Sequence, residues 1–176
     1  IELSEVQTDD DLRGFVINGV SEDDFSGWSV SSAGDVNGDG FDDLIVGAWG
    51  DDPGNRGAAG ASFVVFGKAD GTSVELSAIE AGTGGFVING VSQFDFSGRS
   101  VSSAGDVNGD GFDDLIIGAP YADPNNDESG ASFVVFGGDF TGAATQVGTT
   151  GADTLTGTAG NDVLIAGNDD DILVGA

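Results

Sequence analysis

The stretch Ser29-Val-Ser-Ser-Ala-Gly-Asp-Val-Asn-Gly-Asp-Gly-Phe-Asp-Asp-Leu-Ile45 decides the fold, because residues 100–116 repeat it letter for letter. Outward from it, GFVINGVS at 14–21 returns at 85–92, and ASFVVFG at 61–67 returns at 131–137. The Glu-Leu-Ser of 2–4 also comes back at 75–77. Self-similarity at a fixed long period is the mark of a repeat architecture. The chain therefore divides into a first repeat over 1–69, a second over 70–140, and a tail of different pattern over 141–176.

Within each repeat the periodicity is that of strands. Gly14-Phe15-Val16-Ile17-Asn18-Gly19 is a short β-rich run between glycines, and Trp28 to Ser32 alternates large apolar with small polar residues. Leu44-Ile45-Val46 and Phe63-Val64-Val65-Phe66 are unbroken β-branched and aromatic runs, which suits strands buried on both faces. Four such strands per repeat, joined by Gly/Asn/Asp turns, predict an all-β chain of two tandem four-stranded antiparallel propeller-type blades. No window sustains an i, i+3, i+4 apolar pattern, so almost no helix is expected.

The tail changes period. Asp153, Asp162 and Asp171 are nine apart, as are Leu155, Leu164 and Leu173, and Gly157-Thr-Ala-Gly160-Asn-Asp-Val-Leu-Ile165 alternates a Gly-rich turn with a short strand. That predicts a short, partial parallel β-roll. Three nonapeptides are few for a stack, so the tail reads as a fragment or as a piece awaiting a neighbour.

The chemistry lies in the repeated loop. Asp35, Asn37, Asp39 and Asp43 hold loop positions 1, 3, 5 and 9, with Gly40 at position 6; Asp106, Asn108, Asp110 and Asp114 repeat the spacing around Gly111. Calcium takes about six to eight oxygens at roughly 2.3–2.6 Å, and a tight loop supplies them when alternate side chains turn inward. Phe41 and Phe112, at position 7, would contribute backbone carbonyls while their rings pack into the core. Magnesium fits worse, since it demands a near-ideal octahedron and keeps its waters. An EF-hand fails twice. Val46 and Ile117 stand where its bidentate Glu belongs, and the flanks read as strand. A plain Asp/Asn/Gly turn with solvated carboxylates is the competing reading.

These residues carry a resemblance. The stretch DFSGWSVSSAGDVNGDGFDDLIVGA, residues 24–48, resembles the FG-GAP repeat of integrin α-subunit β-propellers and their bacterial relatives. Its aromatic-Gly element is Phe25-Ser26-Gly27 and again Phe96-Ser97-Gly98; the Gly-Ala-Pro element is Gly118-Ala119-Pro120, with Gly47-Ala48-Trp49 departing from it in the first repeat. The resemblance spans about residues 12–137 and implies the same calcium ligands. The tail resembles the RTX nonapeptide repeats of secreted bacterial proteins. That likeness implies calcium at Asp153 and Asp162, although Asp169 and Ala166 stand where the third turn would have glycines.

Composition closes off other functions. With 31 Asp plus Glu against 4 Lys plus Arg the net charge is −27, which excludes nucleic acid as a natural partner and disfavours anionic membranes. There is no His and no Cys, hence no imidazole base, thiol nucleophile or Cys/His zinc site, and no enzyme activity is expected. A carboxylate pair such as Asp23-Asp24, Asp42-Asp43 or Asp51-Asp52 could pose as a glycosidase dyad, but nothing supplies a sugar-binding aromatic cluster beside it. No apolar run is long enough to span a membrane, and no basic-then-apolar leader begins at Ile1. The chain reads as a mature product or an excerpt of a longer one.

Trp28 and Trp49 are candidates either for stacking on a glycan or for core packing. The dissimilar loops 49–60 and 120–130 are candidates for recognition or for solvent. The threonine-rich stretch 141–158 could accept O-glycans. Two blades cannot close a propeller, and open edges invite strand addition. The expectation is an extracellular, calcium-binding structural or adhesive protein of a bacterium that self-associates head to tail into a filament or ring. The alternative is a ligand-binding propeller portion, for a glycan or protein, of a larger secreted adhesin or enzyme.

Overall fold

The computed structural model describes residues 3–6, 14–124, 129–141, 146–147, 152–156, 164–165 and 172–174. Its architecture is all-β. Strands β1 (Ile17–Asn18), β2 (Ser29–Gly34), β3 (Asp43–Ala48) and β4 (Ala61–Val65) belong to the first repeat. They are followed by β5 (Val74–Glu75), β6 (Gly85–Asn89), β7 (Ser100–Gly105), β8 (Asp114–Ala119) and β9 (Ala131–Val135). The tail contributes β10 (Gln146–Val147), β11 (Thr154–Thr156), β12 (Leu164–Ile165) and β13 (Ile172–Val174). Two single-turn helices, α1 (Leu3–Val6) and α2 (Leu76–Glu80), both start at the repeated Leu-Ser, where sequence periodicity predicts almost no helix. Leu76 and Ile79, three apart on α2, are both buried.

The first blade is a four-stranded antiparallel sheet in the order β2-β3-β4-β6. Its outer strand thus comes from the second repeat, across the boundary between residues 69 and 70. Phe63 faces Val87 rather than Val16. The chain leaving β4 turns through α2 and returns alongside β4, whereas the segment 14–18 would have to cross β2 and β3 to arrive there, so the sequential neighbour wins. That first copy of GFVIN instead pairs parallel with β5 through only Ile17↔Val74 and Asn18↔Glu75. The second blade shows three strands among the described residues, in the order β7-β8-β9.

Both faces of β3 and β4, the inner strands of the first blade, are buried, as their continuous apolar runs require. Val46, Phe63 and Val65 point to one side and meet Leu76 and Ile79 of α2. Ile45 and Val64 point to the other and meet Leu115 and Ile117 of β8, so this second cluster glues blade to blade. The blades approach closely. A Cβ on Gly47 would lie 2.0 Å from the Gly98 carbonyl oxygen, which also accepts a hydrogen bond from Ser29 Oγ at 2.7 Å. In the tail, β10 pairs parallel with β12 and β11 with β13, Leu155 facing Leu173. The step is 173 − 155 = 18 residues, two nonapeptides, which is the spacing of a partial β-roll whose strands alternate between two sheets.

Candidate metal centre

The hairpins β2–β3 and β7–β8 each carry the acidic loop, and the two loops hold the same hydrogen-bond network. Asp35 Oδ1 accepts the N–H groups of Gly38 (2.8 Å) and Asp39 (3.1 Å), and its Oδ2 that of Gly40 (3.0 Å). Asp106 does the same for Gly109, Asp110 and Gly111 at 2.7, 3.1 and 2.9 Å. Asn37 Oδ1 accepts from Asp39 N–H (2.8 Å), and Asp39 Oδ1 from Phe41 N–H (2.9 Å); Asn108 and Asp110 match them at 3.0 and 3.0 Å. The reversal depends on glycine at position 6, where φ is 87° at Gly40 and 90° at Gly111.

Asp43 and Asp114 close the loops from the first residue of the following strand. Asp43 takes Val36 N–H at 3.0 Å and Gly67 N–H at 2.8 Å; Asp114 takes Val107 N–H at 2.8 Å and Gly137 N–H at 2.9 Å. Both are fully buried. Burial pushes the Asp43 carboxyl up to about 6, helped by repulsion from Asp39 and Asp35 and opposed by the Gly67 and Val36 amides. No Lys or Arg lies within either loop, so the concentrated negative charge has no internal counter-ion.

This donor set fits a hard cation, since all its side-chain donors are oxygen. Although Asp35 Oδ1 and Asp106 Oδ1 each take two N–H groups, Asp35 Oδ2, Asp39 Oδ1 and both oxygens of Asp43 accept one and keep a second lone pair for a metal. Among the described residues no three carboxylates already converge into a cation cage; they are turned onto backbone amides instead. In the tail, Asp153 is half-buried and its carbonyl accepts Ile172 N–H at 2.9 Å, while Asp162 lies outside the described residues.

Two features depart from the sequence reading. Phe112 is buried (4% exposed), its ring over Gly38 of the first loop, but Phe41 is 47% exposed rather than in the core. The difference follows from neighbours. The second blade's loop lies on the first blade, and no blade among the described residues covers Phe41 in return. Sequence reasoning also missed Asp113, the residue before the loop-closing Asp114. Its Oδ2 accepts Asp35 N–H at 3.0 Å, and a Cβ on Gly34 would collide with it at 2.1 Å. Only the doubled Asp-Asp after the phenylalanine hints at it.

Away from the loops, Phe25 stacks on Trp49 (4.7 Å between ring centres, planes 4° apart), with Trp28 and Phe96 edge-on to Trp49 at 5.8 and 5.2 Å. Trp49 is enclosed by this cluster, and Trp28 stays 58% exposed. No helix among the described residues is long and apolar enough to cross a membrane.

Residues 26–65 and 97–135 match the FG-GAP repeat family, and residues 147–176 match the RTX calcium-binding nonapeptide repeat. The chain is 32% identical to integrin alpha-5 of Xenopus laevis over 129 residues, 72% of this chain and 11% of that protein. It is 37% identical to integrin alpha-PS5 of Drosophila melanogaster over 101 residues (55% and 9%), and 35% identical to integrin alpha pat-2 of Caenorhabditis elegans over 116 residues (64% and 9%). Against these relatives it spans about a tenth of their length, 9 to 11%. By its blades, its loops and these matches, the chain carries two FG-GAP repeats followed by RTX-type calcium-binding nonapeptide repeats.

Proposed function

We propose that this chain is a calcium-binding, extracellular repeat protein of structural or adhesive role that self-associates head to tail, and that it has no catalytic activity of its own. The observation that carries the calcium reading is the duplicated loop, in which three acids and an asparagine keep one network at two places while one buried carboxylate is pushed up to about 6. A divalent cation favours the ionised form of that carboxylate against its burial and against the repulsion from Asp39 and Asp35, and uses the remaining lone pairs. Extracellular sites of this class bind in the range of about 10⁻⁴–10⁻³ M, which suits an external calcium supply. RTX and FG-GAP repeats, taken together, support a secreted setting. Absence of His and Cys supports a non-enzymatic one.

Calorimetric titration with calcium tests it. Saturable heat is expected from the intact chain and is largely lost from Asp39→Ala/Asp110→Ala. A flat titration of the intact chain refutes the calcium reading. A second reading is favoured by the exposed rings of Phe25 and Trp28 beside Trp49: a ligand-binding, integrin-like propeller portion of a larger adhesin, displaying that surface to a glycan or protein.

A further inference from the structure

We propose that the open edge of β9 is completed by Gly14–Asn18 of a second copy of this chain, which deepens the self-association reading and rests on it. Strand β4 is ASFVV and every one of its residues is buried; β9 is also ASFVV, yet Phe133 is 39% and Val134 48% exposed. The difference is β6. GFVIN lies along β4 in the register Ala61↔Asn89, Phe63↔Val87 and Val65↔Gly85, whereas no strand among the described residues lies along β9 opposite β8. The sequence holds one other GFVIN, at 14–18, and none from Gly138 to Ala176. Among the described residues an acceptor and a donor, each identical to one half of the β4–β6 pair, are therefore left unmatched.

Backbone direction agrees. Phe66 N–H donates to the Gly84 carbonyl at 2.9 Å and Gly90 N–H to the Gly60 carbonyl at 2.7 Å, so Val64/Phe86 and Ser62/Ile88 are the hydrogen-bonded pairs. The same register on β9 makes Val134/Phe15 and Ser132/Ile17 the bonded pairs. On the donor, the Val16 carbonyl accepts Val74 N–H at 2.8 Å. Alternation along a strand then turns the N–H and C=O of Phe15 and Ile17 to the opposite edge, which pairs with nothing in the two-stranded sheet. The groups that β9 needs are the groups β5 leaves unused.

Gly14 is also preset. Its φ of 155° matches the 159° of Gly85, where a Cβ would meet the Val64 carbonyl oxygen at 1.9 Å; at Gly14 the nearest atom is Val6 Cγ1 at 3.4 Å. Side chains fit as well. Val16 falls beside Phe133 over a groove of about 160 Å³ lined by Ile88, Val91, Ile117, Phe133 and Val135. Phe15 takes the place of Phe86, whose ring lies 6.0 Å from Phe66, and so meets Phe136, the exposed counterpart of Phe66. Neither strand itself carries a charge; Glu75 accepts from the Asn18 side-chain amide at 2.6 Å and Lys68 Nζ lies 4.9 Å from the Phe15 ring, while most of the chain's −27 acts on the junction at long range, where salt screens it.

The chain has no cysteine, so disulfide trapping reads the register cleanly. Phe133 and Val16 would form a non-hydrogen-bonded pair with Cα atoms about 4.5 Å apart, within disulfide reach. Val16→Cys mixed with Phe133→Cys in millimolar calcium is expected to give a covalent dimer under oxidation. Val16→Cys mixed with Val107→Cys, on the exposed second loop, is not. Val134→Pro, which removes an open-edge N–H and fixes the local backbone, is expected to abolish the dimer when added to the Phe133→Cys chain. Oligomers in sedimentation without the Val16–Phe133 link overturn this junction and leave self-association standing. A chain that sediments as a monomer at all concentrations overturns both. A double Val16→Cys/Phe133→Cys chain that closes on itself overturns the second copy as occupant.

Discussion

Asp113 Oδ2 accepts the backbone N–H of Asp35 at 3.0 Å, and Asp113 N–H donates to the Asp35 carbonyl at 3.2 Å, so the second acidic loop is clamped onto the first. The residue that opens loop one is thereby held by a neighbour of the residue that closes loop two. Asp113→Ala removes the side-chain half of this clamp and is expected to cost about 1–2 kcal/mol in urea unfolding. Calcium affinity is expected to fall for the first loop and stay unchanged for the second. Asp42→Ala, the same position in loop one with an exposed side chain, is expected to change stability by about 0.5 kcal/mol or less. Equal effects of the two variants refute the clamp.

Phe112 and Phe41 occupy the same place in identical loops and differ in burial, 4% against 47% exposed. Phe112→Ala empties the space over Gly38 and is expected to cost about 3–5 kcal/mol, within the range for deleting a buried ring. Phe41→Ala is expected to cost about 1 kcal/mol, since half of its surface is already in water. Denaturant midpoints of the two variants check the ordering; parity would mean that the blades do not pack through this ring.

The same pair marks how far a sequence can be read. Strand positions and the turn chemistry of the acidic loops were legible because they depend on local spacing: alternation across β2, the unbroken Leu44-Ile45-Val46 run, and acids at loop positions 1, 5 and 9. What was not legible depends on who the neighbour is. GFVIN is identical at 14–18 and 85–89, so no letter says that β4 pairs with the later copy. Asn37 is fully buried and Asn108 exposed for the same reason. Asp113 and Asp42 are the same residue in the same motif, and only the stacking of blade on blade gives one of them a partner.

Acidity offers a separate test at Asp51, outside the loops. Burial pushes its carboxyl up to about 6 from 3.8, and Asp24, Glu80 and Asp52 add repulsion, against one amide from Asp52. With the folded value raised, the native state binds more protons than the unfolded chain between about pH 4 and 6, so this group's contribution to stability falls as pH rises through that window. Asp51→Asn keeps an acceptor for the Asp52 amide and removes the charge. It is expected to raise the melting temperature at pH 7 and to leave it nearly unchanged at pH 4. Chelator in both samples keeps the calcium loops out of the comparison, and a variant that is less stable at pH 7 contradicts the sign.

Calcium supplies the last prediction. With three carboxylates in each loop and no cation among them, the empty loops store repulsion that opposes folding. A ligand that binds only the native state adds about 2.7 kcal/mol per site at a hundredfold excess over its dissociation constant. Asp39 gives one oxygen to Phe41 N–H (2.9 Å) and the other to the Asn37 side-chain amide (2.9 Å), so it shapes the loop as well as charging it. Asp39→Ala is therefore expected to lower the melting temperature strongly in millimolar calcium, where it forfeits the bound ion. In chelator the loss should be small, because the missing hydrogen bonds are offset by relief of repulsion toward Asp35 and Asp43. Asp110→Ala is expected to behave alike, and the double variant to lose the calcium dependence contributed by both loops. Scanning calorimetry with and without chelator measures all three, and superimposable melting curves for the intact chain in the two conditions would show that these loops fold without calcium and bind none.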